Sequence, residues 1–154
     1  MTPILLSALV LLPQPVRVEA SLHLSALAWG HDPATFRALA EVESRLDPNP
    51  KRYGTRERWG NPPERRRWRY VGLMQTRHYP ACPCGQDGPF PPGEWLLAPE
   101  LSAWYGAAHL AGWVQRCGKG RALEAYNRGN RGCRGETDGS FAAAVMAARR
   151  RTHE

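Results

Sequence analysis

The stretch PATFRALAEVESRL, residues 33–46, decides the fold prediction because it reads as one amphipathic helix with clear ends. Asp32 is placed to accept backbone N–H bonds as an N-cap, and proline at the first helical position costs no hydrogen bond. The helix must stop near Leu46, because Asp47 and Asn49 each precede a proline and such residues avoid the α region. We therefore predict a helix over residues 33–46.

Glu43 interrupts the apolar face of this helix. Phe36, Leu39, Ala40 and Glu43 stand at positions i, i+3, i+4 and i+7, which places them on one side. Desolvation penalises the ionised form of a carboxyl group, so a glutamate at this position is suited to give a proton to a leaving oxygen. The alternatives are a structural glutamate paired with an arginine, or a helix rotated so that Glu43 is exposed.

The composition is that of one folded domain. The chain has 154 residues, of which 42% are hydrophobic, with six tryptophans, 14 prolines and 15 glycines. These values predict a packed core joined by long irregular connections.

The formal net charge is +7, and almost all positive charge is guanidinium, since Lys51 and Lys119 are the two lysines. Such a surface suits nucleic acids, membrane surfaces and anionic wall polymers, so charge alone leaves the partner open.

The first twenty residues, MTPILLSALVLLPQPVRVEA, have the character of an export signal. An apolar run over residues 4–12 is followed by prolines and by Val18-Glu19-Ala20, a small-residue pattern suited to cleavage. No Lys or Arg precedes the run, so the alternative is a buried N-terminal helix or strand. The run is about half of the roughly 20 residues that a membrane-spanning helix needs, and we expect no stable membrane span after processing.

Cys82, Cys84, Cys117 and Cys133 form an even set, which favours disulfides in an exported chain. A bridge between Cys82 and Cys84 would close a very small, strained ring, so we expect each of them to pair with Cys117 or Cys133. A four-cysteine zinc site is the alternative, but the spacing fits no standard arrangement of ligands. We predict neither a metal nor a cofactor.

Residues 51–70 carry seven arginines and one lysine against two glutamates. The glycines and prolines in this segment exclude one regular helix, and a connection of this length is uncommon unless it is functional or mobile. The alternative is a solvated, arginine-rich loop. We predict a loop with room for one short β-hairpin, and a second loop, stapled by cysteines, over residues 80–92.

Helical patterns dominate the C-terminal half. Proline opens a helix at Pro99 that lasts until Gly118, and a short helix follows over residues 121–127. Asp138 can cap a final helix in which Phe141, Val145 and Ala148 point inward. The predicted buried stripe of the longest helix consists of Leu101, Trp104, Tyr105, Ala108, Ala111 and Gly112. The predicted fold class is therefore mainly α.

Three short segments, in this order, resemble the lytic transglycosylases of the goose-type lysozyme-like group, enzymes that cleave peptidoglycan. They are Glu43-Ser44 within AEVESRLDP, Gly72-Leu73-Met74-Gln75 within YVGLMQT, and Ala125-Tyr126-Asn127 within EAYNRGN. Residues 97–114 resemble the family helix that lies between the last two. The resemblance covers about residues 33–130, and the joint spacing is much more specific than any one segment.

The resemblance implies a lysozyme-like α (α+β) fold and a single catalytic residue, Glu43. Glu43 would act first as acid and then as base in cleaving the MurNAc-GlcNAc β-1,4 bond, with help from the N-acetyl group of the sugar, and would leave a 1,6-anhydroMurNAc end. Substrate-binding roles are implied for Ser44, Gly72, Leu73, Met74, Gln75, Tyr126 and Asn127. Among these, Tyr126 would orient Glu43, while Ser44 and Asn127 would fix the N-acetyl region.

Two other functions stay open. A lysozyme-type muramidase would deliver water to the same carbon, and a non-catalytic wall-binding module of a secretion system or phage particle would keep the fold without the chemistry. The sequence also departs from the family pattern on both sides of residues 72–75, with Arg67-Trp68-Arg69-Tyr70-Val71 before them and Thr76-Arg77-His78 after them. These departures put substrate contacts near the arginine-rich segment in doubt.

The predicted organisation is a signal peptide over residues 1–20, a lysozyme-like transglycosylase domain over residues 21–148 and a basic tail over residues 149–154. The predicted partners are peptidoglycan glycan strands and anionic wall polymers, the latter bound by the arginines of residues 51–70. No nucleic-acid-binding motif is present, so a nucleic-acid partner is not expected. We expect a monomer that is exported to the periplasm, the cell wall or the medium, or carried in a phage virion.

Overall fold

The computed structural model describes residues 9–48, 51–55, 67–78 and 95–151. The elements in chain order are α1 (Gln14–Ala28), α2 (Pro33–Ser44), β1 (Lys51–Thr55), β2 (Arg67–Val71), β3 (Thr76–His78), a 3₁₀ turn (Trp95–Leu97), α3 (Pro99–Cys117), α4 (Lys119–Arg128), α5 (Asn130–Arg134) and α6 (Ser140–Arg151). Helices account for most of the described chain, which confirms the predicted mainly α fold class.

Helix α2 begins as the sequence predicts. The Asp32 carboxylate accepts the Thr35 backbone N–H over 3.0 Å, and Pro33 occupies the first turn. The helix ends at Ser44, two residues before the predicted end, because Arg45 and Leu46 take left-handed backbone angles, with φ of 58° and 62°. The predicted apolar face is confirmed: Phe36, Leu39 and Ala40 are fully buried.

The three strands form one antiparallel sheet in the order β1-β2-β3. Lys51 pairs with Val71 at one end of the first ladder, and Val71 pairs with Thr76 in the second. The short hairpin expected within residues 51–70 is therefore present. A third strand, which the sequence did not suggest, extends it through a turn at residues 72–75.

The helices enclose a single core. α1 packs against α2 and α3, α2 packs against α6, and α4 packs against α3 and α5. The largest fully buried side chains include Leu22, Phe36, Leu39, Leu73, Met74 and Val145. Val145 and Ala148 of α6 are buried and Phe141 packs against the core, as predicted.

The predicted buried face of α3 is wrong by about one residue. After Pro99 and Glu100 in its first turn, the buried residues are Ser102, Ala103, Gly106, Ala107 and Leu110, whereas Gly112 of the predicted stripe is exposed. The helix turns its smallest side chains inward because the residue 72–75 turn and the imidazole of His31 lie against it, the latter bonded to the Ala107 carbonyl oxygen over 2.8 Å. The large side chains of Trp104 and Tyr105 are half-buried beside this face.

Both predicted domain ends fall inside helices. α1 runs continuously through Ala20, and Val18 and Leu22 on either side are buried. At the other end, the arginines assigned to the start of a tail belong to α6, where Arg149 pairs with Asp32 and Arg151 with Glu41. None of the described helices is long and apolar enough to cross a membrane. Removal of residues 1–20 as a signal peptide stays a prediction.

Candidate active site

A tight turn at residues 72–75 links β2 to β3, and all four of its residues are buried. The Gln75 backbone N–H donates to the Gly72 carbonyl oxygen over 3.0 Å, and the Gln75 side-chain Nε2 donates to the same oxygen over 3.0 Å. Gln75 itself has φ of 45°. The turn is thus closed on itself by its first and last residues.

Only glycine fits at the first position of this turn. Gly72 has φ of +77°, and a Cβ added to it would lie 1.9 Å from the Leu96 carbonyl oxygen and 2.7 Å from Ser102 Oγ. A side chain would therefore meet both strained backbone angles and backbone atoms that cannot move aside. The glycine lets the turn rest directly on the start of α3.

α3 provides the platform under the turn. Ser102 Oγ accepts the Met74 backbone N–H over 3.1 Å. One helical turn later, a Cβ on Gly106 would lie 2.5 Å from Met74 Cγ. Neither Ser102 nor Gly106 is on the predicted buried stripe of this helix. The available signal was two small residues four apart in a helix that follows the GLMQ segment, which is the spacing of one helix face.

Tyr126 ties α4 to the same turn. Its phenol donates to the Met74 carbonyl oxygen over 2.9 Å, and its ring meets the His109 ring edge-on, with centroids 5.1 Å apart. Asn127, next in the chain, is exposed on α4. The structure thus brings residues 72–75 and Tyr126 together, while the predicted orientation of Glu43 by Tyr126 stays a prediction.

Glu43 lies one residue before the end of α2 and is half-buried, whereas Ser44 is 6% exposed. Ser44 Oγ donates to the Ala40 carbonyl oxygen over 3.0 Å, a bond within the helix. The apolar face that precedes Glu43 shares one core with Leu73 and Met74. Glu43 therefore lies at the edge of the core that also contains Leu73 and Met74 of the 72–75 turn.

Among residues other than glycine, the left-handed backbone angles in the described part of the chain occur at these two segments. Arg45, Leu46 and Gln75 are the non-glycine residues with positive φ in the described part of the chain. Two of them follow Glu43-Ser44 directly and the third ends the GLMQ turn. Such angles cost about 1–3 kcal/mol each and are kept where the surrounding structure requires them, often at functional sites.

Three other buried or half-buried carboxylates have structural partners. Glu100 pairs with Arg17, and Glu41 pairs with Arg37 and Arg151. Glu124 Oε1 accepts the Ala142 backbone N–H over 2.7 Å, at the start of α6. These contacts assign the three groups to packing and helix capping.

A cavity of about 870 Å³ lies elsewhere, lined among others by Trp29, His31, Phe36, Leu110 and Leu123. It opens at the N-terminal end of α2, while Glu43 is at the C-terminal end, roughly 15 Å away along a helix that rises 1.5 Å per residue. We do not assign it to the candidate site. Cys82 and Cys84 lie outside the described residues.

Cys117 and Cys133 are half-buried and contact each other, and neither forms a disulfide with another of the residues that the structure describes. Burial raises the pKa of Cys117 to about 11, and a hydrogen bond between its S–H and the Cys133 sulfur adds to the shift because it is lost when Cys117 ionises. The predicted pairing of each with Cys82 or Cys84 stays a prediction.

Among the residues that the structure describes, no three His, Cys, Asp or Glu side chains are grouped as metal ligands would be.

The family model described as the transglycosylase SLT domain matches residues 23–143. This match covers most of the chain and contains every predicted site residue. The chain therefore belongs to the SLT transglycosylase domain family, whose members act on peptidoglycan. No match was found among curated proteins or among solved structures.

Proposed function

We propose that this protein is a peptidoglycan lytic transglycosylase that cleaves the MurNAc-GlcNAc β-1,4 bond with Glu43 as its single acid and base. The observation that carries the proposal is a half-buried carboxylate at the end of α2, within a chain matched by the SLT family over residues 23–143. The substrate is a glycan strand of peptidoglycan, and the product is a 1,6-anhydroMurNAc end.

In the first step, the Glu43 carboxyl group donates its proton to the glycosidic oxygen as the bond from that oxygen to C1 breaks. The carbonyl oxygen of the N-acetyl group on the same muramic sugar bonds to C1 and replaces the second carboxylate of most glycosidases. This step requires the Glu43 carboxyl group to be protonated when the sugar binds.

In the second step, the Glu43 carboxylate accepts the proton of the sugar's own C6 hydroxyl. The C6 oxygen bonds to C1 as the N-acetyl oxygen leaves, and Glu43 is protonated again for the next cycle. The rigid turn at residues 72–75 would bind the sugar beside Glu43, because its backbone is fixed from three sides by Leu96, Ser102 and Tyr126.

The test is a pair of variants on one helix, assayed by clearing of purified peptidoglycan. Glu43→Gln is nearly isosteric but has no proton to give, so we expect the rate to fall at least about a hundredfold while the melting temperature is kept. The matched control is Glu41→Gln, two residues away in a surface ion-pair network with Arg37 and Arg151. Full activity of Glu43→Gln would refute the mechanism.

The released muropeptides distinguish the proposed reaction from its alternatives. Anhydro ends weigh one water less than hydrolysed ends, so mass spectrometry reads the outcome directly. Reducing ends alone would make the protein a muramidase. Binding without any release would make it a wall-binding module.

The proposal also includes export of the protein. It further includes contact of the arginines of residues 51–70 with anionic wall polymers. That segment carries seven arginines and one lysine against two glutamates. Sedimentation with wall fragments should therefore weaken as salt is raised, since exposed charges are screened. Binding that does not change with salt would exclude this role for the arginines.

A further inference from the structure

From Val18 onward α1 is part of the core, whereas its first residues, 14–16, are exposed. Val18 is 4% exposed, and Ser21 and Leu22 are 0% and 1% exposed. Ser21 Oγ donates to the Arg17 carbonyl oxygen over 2.6 Å. Helix α1 therefore contributes to the core before residue 21, the predicted start of the catalytic domain.

Arg17 forms a two-point ion pair with Glu100. The guanidinium donates from Nε to Oε1 and from Nη2 to Oε2, the latter over 2.9 Å. The Glu100 side chain is 3% exposed and that of Arg17 is 24% exposed. An arginine and a carboxylate in this fork geometry form one of the stronger charged pairs in proteins. Loss of the arginine would leave a buried carboxylate without its partner, which is strongly destabilising.

Glu100 belongs to the same turn of α3 that holds the candidate active site. Two residues later Ser102 accepts the Met74 backbone N–H, and four residues earlier the Leu96 carbonyl oxygen lies against Gly72. A shift of the first turn of α3 would therefore move both contacts of the 72–75 turn at once.

We infer that Arg17 is retained in the folded enzyme and is a positioning residue that fixes the start of α3, and through it the 72–75 turn. Cleavage after Ala20, at the Val18-Glu19-Ala20 pattern, would remove Arg17 and Val18. The folded protein therefore keeps the chain from residue 17 onward, and any leader is cut before that point. The part of this inference that concerns turnover rests on the proposed function.

The N-terminus of the exported protein tests retention without any assay of activity. The full chain is produced in a bacterial host, and the intact mass and N-terminal peptide of the exported form are measured. We expect every folded species to contain Arg17. A mature N-terminus at Ser21, or at any residue after Arg17, in a folded protein would overturn the inference.

Variants of the full chain test the ion pair. We expect Arg17→Met to lower the melting temperature by roughly 5–10 °C and the turnover rate by roughly tenfold, since a displaced turn misplaces the substrate. The matched control is Glu19→Gln. Glu19 lies on α1, like Arg17, but its side chain is exposed and pairs with Arg37 of α2. Its melting temperature should change by less than about 2 °C, since exposed pairs contribute little.

The double variant Arg17→Met with Glu100→Met keeps the test decisive if the single variant does not fold. Two apolar side chains can replace a buried pair with little loss, so the double variant should recover most of the melting temperature and turnover rate. If the double variant loses as much melting temperature and turnover rate as Arg17→Met and Glu100→Met lose together, the positioning role is overturned. Normal melting together with no activity in the wild-type chain would refute the proposed function instead.

Discussion

The phenol of Tyr126 donates a hydrogen bond to the Met74 carbonyl oxygen over 2.9 Å and joins α4 to the 72–75 turn across 52 positions of the chain. The Met74 backbone N–H is held on the other side by Ser102 Oγ. Both backbone polar groups of Met74, its N–H and its carbonyl oxygen, are thus bonded to side chains from two different helices. The turn gains a fixed backbone without relying on the small sheet beside it.

Tyr126→Phe should therefore loosen the turn. The variant keeps the ring contact with His109 but loses the bond to Met74, which costs about 1 kcal/mol and leaves a buried carbonyl oxygen unpaired. We expect a lower free energy of unfolding in urea and a several-fold lower rate of peptidoglycan cleavage. The control is Tyr105→Phe, since the Tyr105 phenol makes no hydrogen bond within the part of the chain that is described; equal losses in both variants would contradict the role of Tyr126.

Gly106→Ala should destabilise the protein although alanine favours helices. The new Cβ would lie 2.5 Å and 2.6 Å from Met74 Cγ and Cβ, so a fully buried side chain must shift. Overpacking of this kind costs about 1–3 kcal/mol, against a gain of about 1 kcal/mol from helix propensity. Gly112→Ala, on the same helix with no atom within 4 Å of the added Cβ, should stabilise by up to about 1 kcal/mol. Melting temperatures that move in the same direction would contradict this packing.

Asp32→Ala should weaken the start of the helix that carries Glu43. Asp32 accepts from the Thr35 backbone N–H over 3.0 Å and from its hydroxyl over 2.6 Å. Loss of such an N-cap costs about 1 kcal/mol, whereas Asp32→Asn keeps an acceptor and should cost less. Urea unfolding measures both variants, and an Asn variant as unstable as the Ala variant would show that the cap is not the cause.

Asp32 should also make the free energy of unfolding depend on pH. The hydrogen bond from the Thr35 hydroxyl holds the pKa of Asp32 below its usual range, with help from Arg149. Because the pKa is lower in the folded state, this stabilisation is present above the pKa of the unfolded chain, about 4, and is lost as the pH falls through the folded value. The difference in free energy of unfolding between wild type and Asp32→Asn should therefore shrink from about pH 5 to about pH 2. A difference that stays constant would contradict the assignment.

Cys117 should react slowly while the protein is folded. Burial raises its pKa to about 11, so little thiolate is present at neutral pH. Under reducing conditions, iodoacetamide should label Cys117 much faster after unfolding than before, as read by mass spectrometry. Because the folded pKa is the higher one, the stabilisation from this thiol is present below the unfolded pKa and is lost as the pH rises toward 11. Cys133→Ala removes the second cause of the shift and should speed labelling; an unchanged rate would exclude that contribution.

The sequence determined the local structure of α2. Its N-cap, its first proline and its apolar face depend on neighbouring residues and lie where expected, while the helix ends two residues before the predicted position. The three motif segments predicted the family that the match over residues 23–143 shows, because a GLMQ turn and a glutamate at a helix end need particular residue types at particular places.

Only the tertiary structure decided which residues hold these parts together. The inward face of α3, the fit of Gly72 on Leu96 and the bond from Tyr126 to Met74 join segments that are far apart in the chain, so no local pattern carries them. The same is true of Arg17, which reads as part of a leader in the sequence and pairs with Glu100 across 83 positions in the fold. Local propensity reaches about one helical turn, whereas burial and ion pairing are settled when the helices pack.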